Sequence, residues 1–296
     1  MEQNFVYKMV TDKVIEMLNK GIIPWHKPWR FANTCGDASE VAISYVTRNP
    51  YSLINQWLLM EPGEYLTFNQ IKSLGGLVKK GEKSRFVVFF THVPFVRKNE
   101  KTGEEETATY PLLKYYNVFH INQCEGIQSK CTSGEPERVK ESPMCDAADA
   151  AIFDYVSSQS TLKFQNDKPS NRAYYSPSED KVVVPMRQQF PEMAEYYSTA
   201  FHELTHSTMP ESRCNRRDKE HVAFFGSKSY SREELVAEMG AAMLCSNFAI
   251  DTEKAFRNSI AYLQSWVANL RDDPKAIVVA AGKAEKAVRF MLGERE

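Results

Sequence analysis

The run His202-Glu203-Leu204-Thr205-His206 constrains this chain more than any other stretch of it. Side chains four apart on an α-helix share one face, one turn apart, so the two imidazoles can aim at a single ion if the segment is helical. Met193, Tyr196, Ala200, Phe201 and Leu204 give such a helix a face to bury. Zinc suits imidazole nitrogen and takes a third protein ligand plus an open position. Glu203, beside the first histidine, can reach a water in that position as general base. The third ligand is expected on another helix. Downstream, Glu233-Glu234-Leu235-Val236-Ala237-Glu238 sets Glu234 and Glu238 one turn apart, so that one can bind the ion while the other hydrogen-bonds a ligand histidine. The acidic run also suits a helix start capped by Ser231. That accounts for Glu233 but poorly for Glu238, which lies among Leu235, Val236, Met239 and Ala241. No third histidine follows at the HExxHxxGxxH spacing. The competing reading is a chance HExxH on a surface helix.

Length and composition describe a chain with material for about two domains of ordinary size: 296 residues, 43% hydrophobic and 25% charged. They exclude a disordered chain, a collagen-like chain and a small disulfide scaffold. The opening segment has no apolar core of signal-peptide length, and no run approaches a membrane span, so a cytoplasmic protein without membrane contact is expected. The six cysteines (Cys35, Cys124, Cys131, Cys145, Cys214, Cys245) contain no CxxC pair. Reduced thiols are expected, and a zinc knuckle on Cys124, Cys131 and Cys145 would lack the usual close pairing. The formal charge of −1 conceals two opposite halves. Residues 1–98 carry 13 Lys+Arg against 8 Asp+Glu, and residues 99–296 carry 24 against 30. Within 66–98 the count is 7 basic to 1 acidic.

Apolar spacing from Asn4 to Lys20 predicts a helix stopped by Gly21. A short helix over 51–60, a strand over 65–68, a helix over 69–74 and strands over 85–90 and 112–121 follow. Residues 125–145 hold two Pro, two Gly, three Ser and a Thr with few large apolar side chains, and read as a linker. Beyond it come a helix over 147–158, a hairpin around 176–180 and helices over 191–209, 231–248, 252–270 and 274–292. The expected class is α+β: a mixed N-terminal domain over 1–124, a linker over 125–145 and a mostly helical metal-bearing domain with a small β-hairpin or sheet over 146–296.

The basic front half also carries aromatic residues. Single-strand binders combine a cationic groove with aromatic platforms on which bases stack. Trp25, Lys27, Trp29 and Arg30 offer both within six residues, and Lys79, Lys80, Lys83 and Arg85 add a cationic turn suited to phosphates. The alternative places both tryptophans in the core and the lysines on a solvated hairpin.

HELTH followed after 27 residues by ELVAE resembles the glutamate-type zincins. That resemblance implies Glu234 as the third ligand, with Glu233 as runner-up, and Glu238 as the acidic residue supporting the site. More specifically, Ala173-Tyr174-Tyr175, Asp180, Pro185, Phe190, Tyr196-Tyr197, HELTH and EELVAEMGAAMLC are similar to the ArdC-type antirestriction proteins of plasmids and other mobile elements. So are Pro24-Trp25-His26-Lys27-Pro28-Trp29 and the run from Tyr65 to Lys83. The resemblance covers residues 4–250 and implies an N-terminal domain that binds single-stranded DNA and a zincin-like C-terminal domain with one Zn2+, or another divalent ion, per chain. It leaves three functions in play: an antirestriction protein, a DNA-localised metallopeptidase with a protein or peptide substrate, and a DNA-binding module with structural zinc.

Overall fold

The first helix, α1 (Glu2–Asn19), buries Val6, Val10, Val14, Met17 and Leu18, the stripe its spacing demands, and turns out of the helix through Gly21 at φ 75°. The computed structural model describes residues 2–26, 41–98, 105–131, 145–216, 228–251, 266–268 and 270–294. A 3-10 turn (Pro24–His26), β1 (Ala42–Ser44), α2 (Leu53–Leu59), β2 (Gly63–Thr67), α3 (Phe68–Ser73), β3 (Leu77–Val78), β4 (Arg85–Lys98), β5 (Glu105–His120) and β6 (Cys124–Glu125) complete the front half. Thr67 and Gln70 bond each other's backbone N–H in a capping box that fixes the start of α3.

The main sheet has the order β1-β2-β5-β4, with β1 parallel to β2 and the other pairs antiparallel. Its hairpin is longer than expected: β4 and β5 pair from Arg85 opposite Val118 to Lys98 opposite Glu105, beyond the strands anticipated at 85–90 and 112–121. Pro94 and Pro111 hid the extension, because proline argues against an inner strand. Here both are tolerated, since β4 is an edge and β2 pairs with β5 only at Val118, Phe119 and His120. The fully buried helix α2 serves both edges of the sheet. The Asn55 side-chain amide bonds the backbone N–H and carbonyl of Val88 on β4 at 2.7 and 2.8 Å. Its neighbour Gln56 does the same for Ala42 on β1 at 2.8 and 2.9 Å. Two consecutive amides therefore satisfy two edges that would otherwise bury unpaired backbone groups.

The back half contains α4 (Asp146–Ser158), β7 (Lys163–Gln165), β8 (Tyr174–Ser176), β9 (Lys181–Val183), a 3-10 turn (Arg187–Gln189), α5 (Met193–Ser207), α6 (Lys228–Asn247) and α7 (Ala276–Met291). The expected β8–β9 hairpin is joined by β7, parallel to β9, which no sequence pattern announced. Most of the helix expected at 252–270 lies outside the described residues. So does 132–144 of the expected linker; its first part is anchored. Glu64, 1% exposed, pairs with Arg48 and accepts from the Ser129 hydroxyl at 2.7 Å and the Lys130 N–H at 3.1 Å.

One apolar cluster runs through both halves. Val10, Val14, Trp25, Trp57, Val88 and Leu113 pack in the same core as Ile152, Phe201, Leu244, Ile277 and Val288. Thr11 adds a hydrogen bond from its hydroxyl to the Pro274 carbonyl at 2.7 Å. Among the described residues no helix is long and apolar enough to cross a membrane.

Candidate metal centre

Helix α5 buries Tyr196, Tyr197, Ala200, Phe201 and Leu204 and turns His202 and His206 toward α6. The two rings lie 4.8 Å apart at 81°, and their Nε2 atoms approach to 3.2 Å. Glu234 completes the group from α6: Oε1 lies 3.3 Å from His206 Nε2, and Oε2 lies 3.4 Å from His202 Nε2. A tetrahedral ion bound at 2.0–2.1 Å holds its donors about 3.3–3.4 Å apart. The two imidazole nitrogens thus stand at the spacing of a tetrahedral edge, and the Glu234 carboxylate bridges them, turning one oxygen to each ring, so that the three residues converge on a single ion site and leave a further position for a water or substrate oxygen. Nitrogen, nitrogen and carboxylate oxygen form a donor set for zinc and similar divalent ions. Among the described residues this is the one His/Cys/Asp/Glu group so arranged, and Cys124, Cys131 and Cys145 do not form another.

Two devices hold the group together. Glu233 places Oε1 3.6 Å from His206 Nδ1, an electrostatic contact on the far side of the ring. Arg216, 3% exposed, grips Glu233 at 2.7 Å and also donates to the Thr205 carbonyl at 2.9 Å and the Thr208 hydroxyl at 2.5 Å. Burial raises the Glu233 pKa, but His206 and Arg216 outweigh it and hold the carboxyl below its ordinary value. The chain Arg216–Glu233–His206 thus ties α6 to the end of α5 and sets the imidazole's orientation. The second device is Gly240. A Cβ there would lie 2.7 Å from Thr205 Cγ2 and Oγ1, so only glycine lets the helices approach this closely.

Glu203 lies within the electrostatic reach of His202, His206 and Glu234. Burial pushes its carboxyl up from the ordinary value, against the opposing fields of His202 and His206, and the Tyr175 backbone N–H on β8 faces it. Behind β8, Asp180 accepts from Arg213 at 2.6 and 2.9 Å, from Tyr175 at 2.9 Å and from Thr161 at 2.5 Å. Arg213 in turn donates to the Ser207 carbonyl at 2.5 Å, which links the hairpin to the end of the histidine helix.

The structure brings His202, Glu203, His206 and Glu234 together. Glu238 follows Glu234 by one turn and is half-buried. Glu233, the runner-up ligand, lies 3.6 Å from His206 Nδ1. α6 starts at Lys228, ahead of the expected Ser231 cap, so Glu233 sits in its second turn; its place behind His206 was hidden because the acidic run already had an explanation as a helix start, and Arg216 had no signal at all.

The nucleic-acid candidates fare differently. Trp25 is 2% exposed, with its ring 5.8 Å from that of Trp57, so core packing corrects its assignment as a base platform. Arg85 is likewise structural: it pairs with Glu61 at 2.5 Å and bonds the Leu59 carbonyl and the Tyr65 hydroxyl. Lys79, Lys80 and Lys83 are exposed on the turn before β4, with Lys79 Nζ donating to the Asn122 carbonyl. Lys27, Trp29 and Arg30 lie outside the described residues.

Comparison with known proteins covers both halves. Residues 4–119 match the N-terminal domain of the anti-restriction factor ArdC, and residues 153–283 match a zincin-like metallopeptidase family. The crystal structure of the antirestriction ArdC protein from the R388 plasmid, metal-free, is 32% identical with a TM-score of 0.69, over 97% of both chains. Its Mn(II)-bound structure gives 30% and 0.67 over the same shares. A DNA primase TraC of Escherichia coli is 30% identical over 97% of this chain, and the chain spans 20% of that primase's length. The uncharacterised protein y4eC of Sinorhizobium fredii is 26% identical over 98% of this chain and 92% of its own. With the likeness running from the basic front half through the helices that carry His202, His206 and Glu234, the chain belongs to the ArdC family of antirestriction proteins.

Proposed function

We propose that this protein is an antirestriction factor of a mobile element that binds single-stranded DNA through its front half and carries one zinc ion on His202, His206 and Glu234. The observation that carries the reading is the set of three donor separations, 3.2, 3.3 and 3.4 Å, beside the buried carboxyl of Glu203 in an ArdC-type chain. A bound divalent ion there supplies a Lewis acid for a carbonyl oxygen and makes a coordinated water more acidic. Glu203 then accepts the proton of the attacking water at a carboxylate oxygen and returns it to the leaving amine, the work of a zinc peptidase. His206, steadied by Glu233 and Arg216, keeps Nε2 aimed at the ion. A purely structural site has no use for Glu203, which favours hydrolysis of a protein or peptide over metal as scaffold.

Elemental analysis of the purified protein is expected to find about one zinc per chain, and His202→Ala to lose it; a metal-free wild type overturns the site. Glu203→Gln is expected to keep metal and single-strand binding. Transfer of DNA into a restricting host then reads its role: loss of protection ties defence to hydrolysis, and full protection assigns defence to DNA binding alone.

A further inference from the structure

The hairpin formed by β4 and β5 displays aromatic side chains that the core does not use. On a strand, alternate residues share a face, and residues directly opposite on an antiparallel partner share it too. One face of the hairpin therefore carries Phe89 and Phe95 from β4 with Tyr110, Lys114 and Tyr116 from β5. Phe89 is 43% exposed, Tyr116 46%, Tyr110 43% and Phe95 40%. They form two stations. Phe89 and Tyr116 lie 6.0 Å apart, with Tyr51 behind Phe89 at 6.1 Å, and Phe95 and Tyr110 lie 5.8 Å apart. Six residues separate the stations along β4, about 20 Å at the rise of a strand. Exposed aromatics at this density are unusual on a soluble surface and mark a binding face.

The charges select the occupant. Lys114 stands directly opposite Phe89 in the register and is exposed, and the exposed Lys79, Lys80 and Lys83 sit at the end of the hairpin where β4 begins. The sequence from 66 to 98 carries 7 basic residues against 1 acidic. A second copy of the chain docking through aromatics would gain nothing from lysine between the rings. Unpaired bases over a phosphate backbone use both. We infer that Phe89, Tyr116, Tyr110 and Phe95 are the base-stacking surface for single-stranded DNA, with Lys114 and the 79–83 turn meeting the phosphates. The inference deepens the DNA-binding reading and rests on it. It moves the stacking platforms from the Trp25 segment to the hairpin.

The test uses the full chain and a labelled single-stranded oligothymidine of about 16 nucleotides, read by fluorescence anisotropy at several salt concentrations. Phe89→Ala/Tyr116→Ala and Phe95→Ala/Tyr110→Ala are each expected to weaken binding by about 5- to 150-fold, the worth of one stacked base, with the salt slope unchanged. Lys79→Ala/Lys80→Ala/Lys83→Ala is expected to flatten the slope by about 0.7 for each phosphate that a lysine no longer neutralises. Phe153→Ala removes a ring that is 71% exposed on α4 and is expected to bind as wild type does. Equal melting midpoints establish that each variant is folded. Wild-type binding by both aromatic pairs overturns this surface while leaving DNA binding intact. A wild type that ignores the oligonucleotide overturns the DNA reading itself. A chain that dimerises, and loses the dimer in Phe89→Ala/Tyr116→Ala without losing DNA, assigns the face to a second copy and overturns the inference.

Discussion

Replacing Gly240 by alanine adds one methyl group where α5 and α6 touch. The new Cβ would lie 2.7 Å from Cγ2 and Oγ1 of Thr205, whereas ordinary contact begins at 3.4 Å, so at least 0.7 Å must open between the helices. Thr205 cannot simply rotate away: it is fully buried, and its hydroxyl donates to the Phe201 carbonyl at 2.7 Å. Alanine is the better helix former by about 0.8–1.0 kcal/mol. Overpacking costs about 1–3 kcal/mol, and the net effect is a loss of about 0–2 kcal/mol. The metal site is affected more sharply. Glu234 lies six residues up the same helix, about 9 Å along its axis, and is carried with it. Ligand distances tolerate about 0.2 Å, so a displacement of this size separates Glu234 from the histidine pair and weakens metal affinity by about 10–100-fold. Competition titration against a chelating zinc indicator measures it. Thr205→Ala in the same chain restores the space, and the double variant is expected to recover most of the affinity that Gly240→Ala loses. If Gly240→Ala binds zinc as tightly as wild type, the idea that this crossing sets the ligand spacing is refuted.

Three further outcomes follow from the same geometry. Burial raises the Asp180 carboxyl pKa, but Arg213, Thr161 and Tyr175 outweigh it and hold it at about 2. Because the unfolded value is about 3.9, its contribution is complete above pH 4 and fades as pH falls toward 2, by about 2 kcal/mol in all. Urea midpoints of wild type are expected to drop across that window by more than those of Asp180→Asn, and parallel drops contradict the assignment. Glu233→Gln removes the charge between Arg216 and His206 while leaving all three donors in place, and zinc affinity is expected to fall about 10–100-fold; an unchanged affinity in the same titration argues against an orienting role. Gly63→Ala sets a Cβ 2.0 Å from His120 Nε2 at a φ of 133°, so the chain is expected to melt several degrees lower, and a wild-type midpoint would contradict the packing.

The candidate metal centre was legible because its residues follow a fixed helical period. His202, Glu203 and His206 are local to one helix, and Glu234 lies in the second turn of another. The residues that steady them were not, since Arg216 reaches Glu233 across 17 positions through space alone. The front half reversed the expectation for a physical reason. Tryptophan next to lysine and arginine looks like a stacking site in a linear string, yet Trp25 carries too much apolar area to leave outside a core that Trp57 already begins. Exposed and buried residues are interspersed along both strands, with buried Val87 on the face of Phe89 and Tyr116 and exposed Phe90 and Tyr115 on the face of Val88 and Leu113, so only the pairing register shows which rings stand together.

That register also bears on how the two halves act together. The aromatic face of the hairpin has a reverse side, and there Val88 and Leu113 enter the same core as Ile277 and Val288 of α7. That core also takes in Leu235, Met239 and Met243 of α6, the helix that carries Glu234. Because packed interiors are dense and transmit strain, the strands proposed to hold DNA and the helix proposed to hold metal share one stability rather than two. On that proposal, single-stranded DNA and zinc are each expected to raise the melting midpoint of the whole chain, in one transition. Restriction-protection phenotypes of core variants in this family member are therefore to be read against folding before they are read against either site.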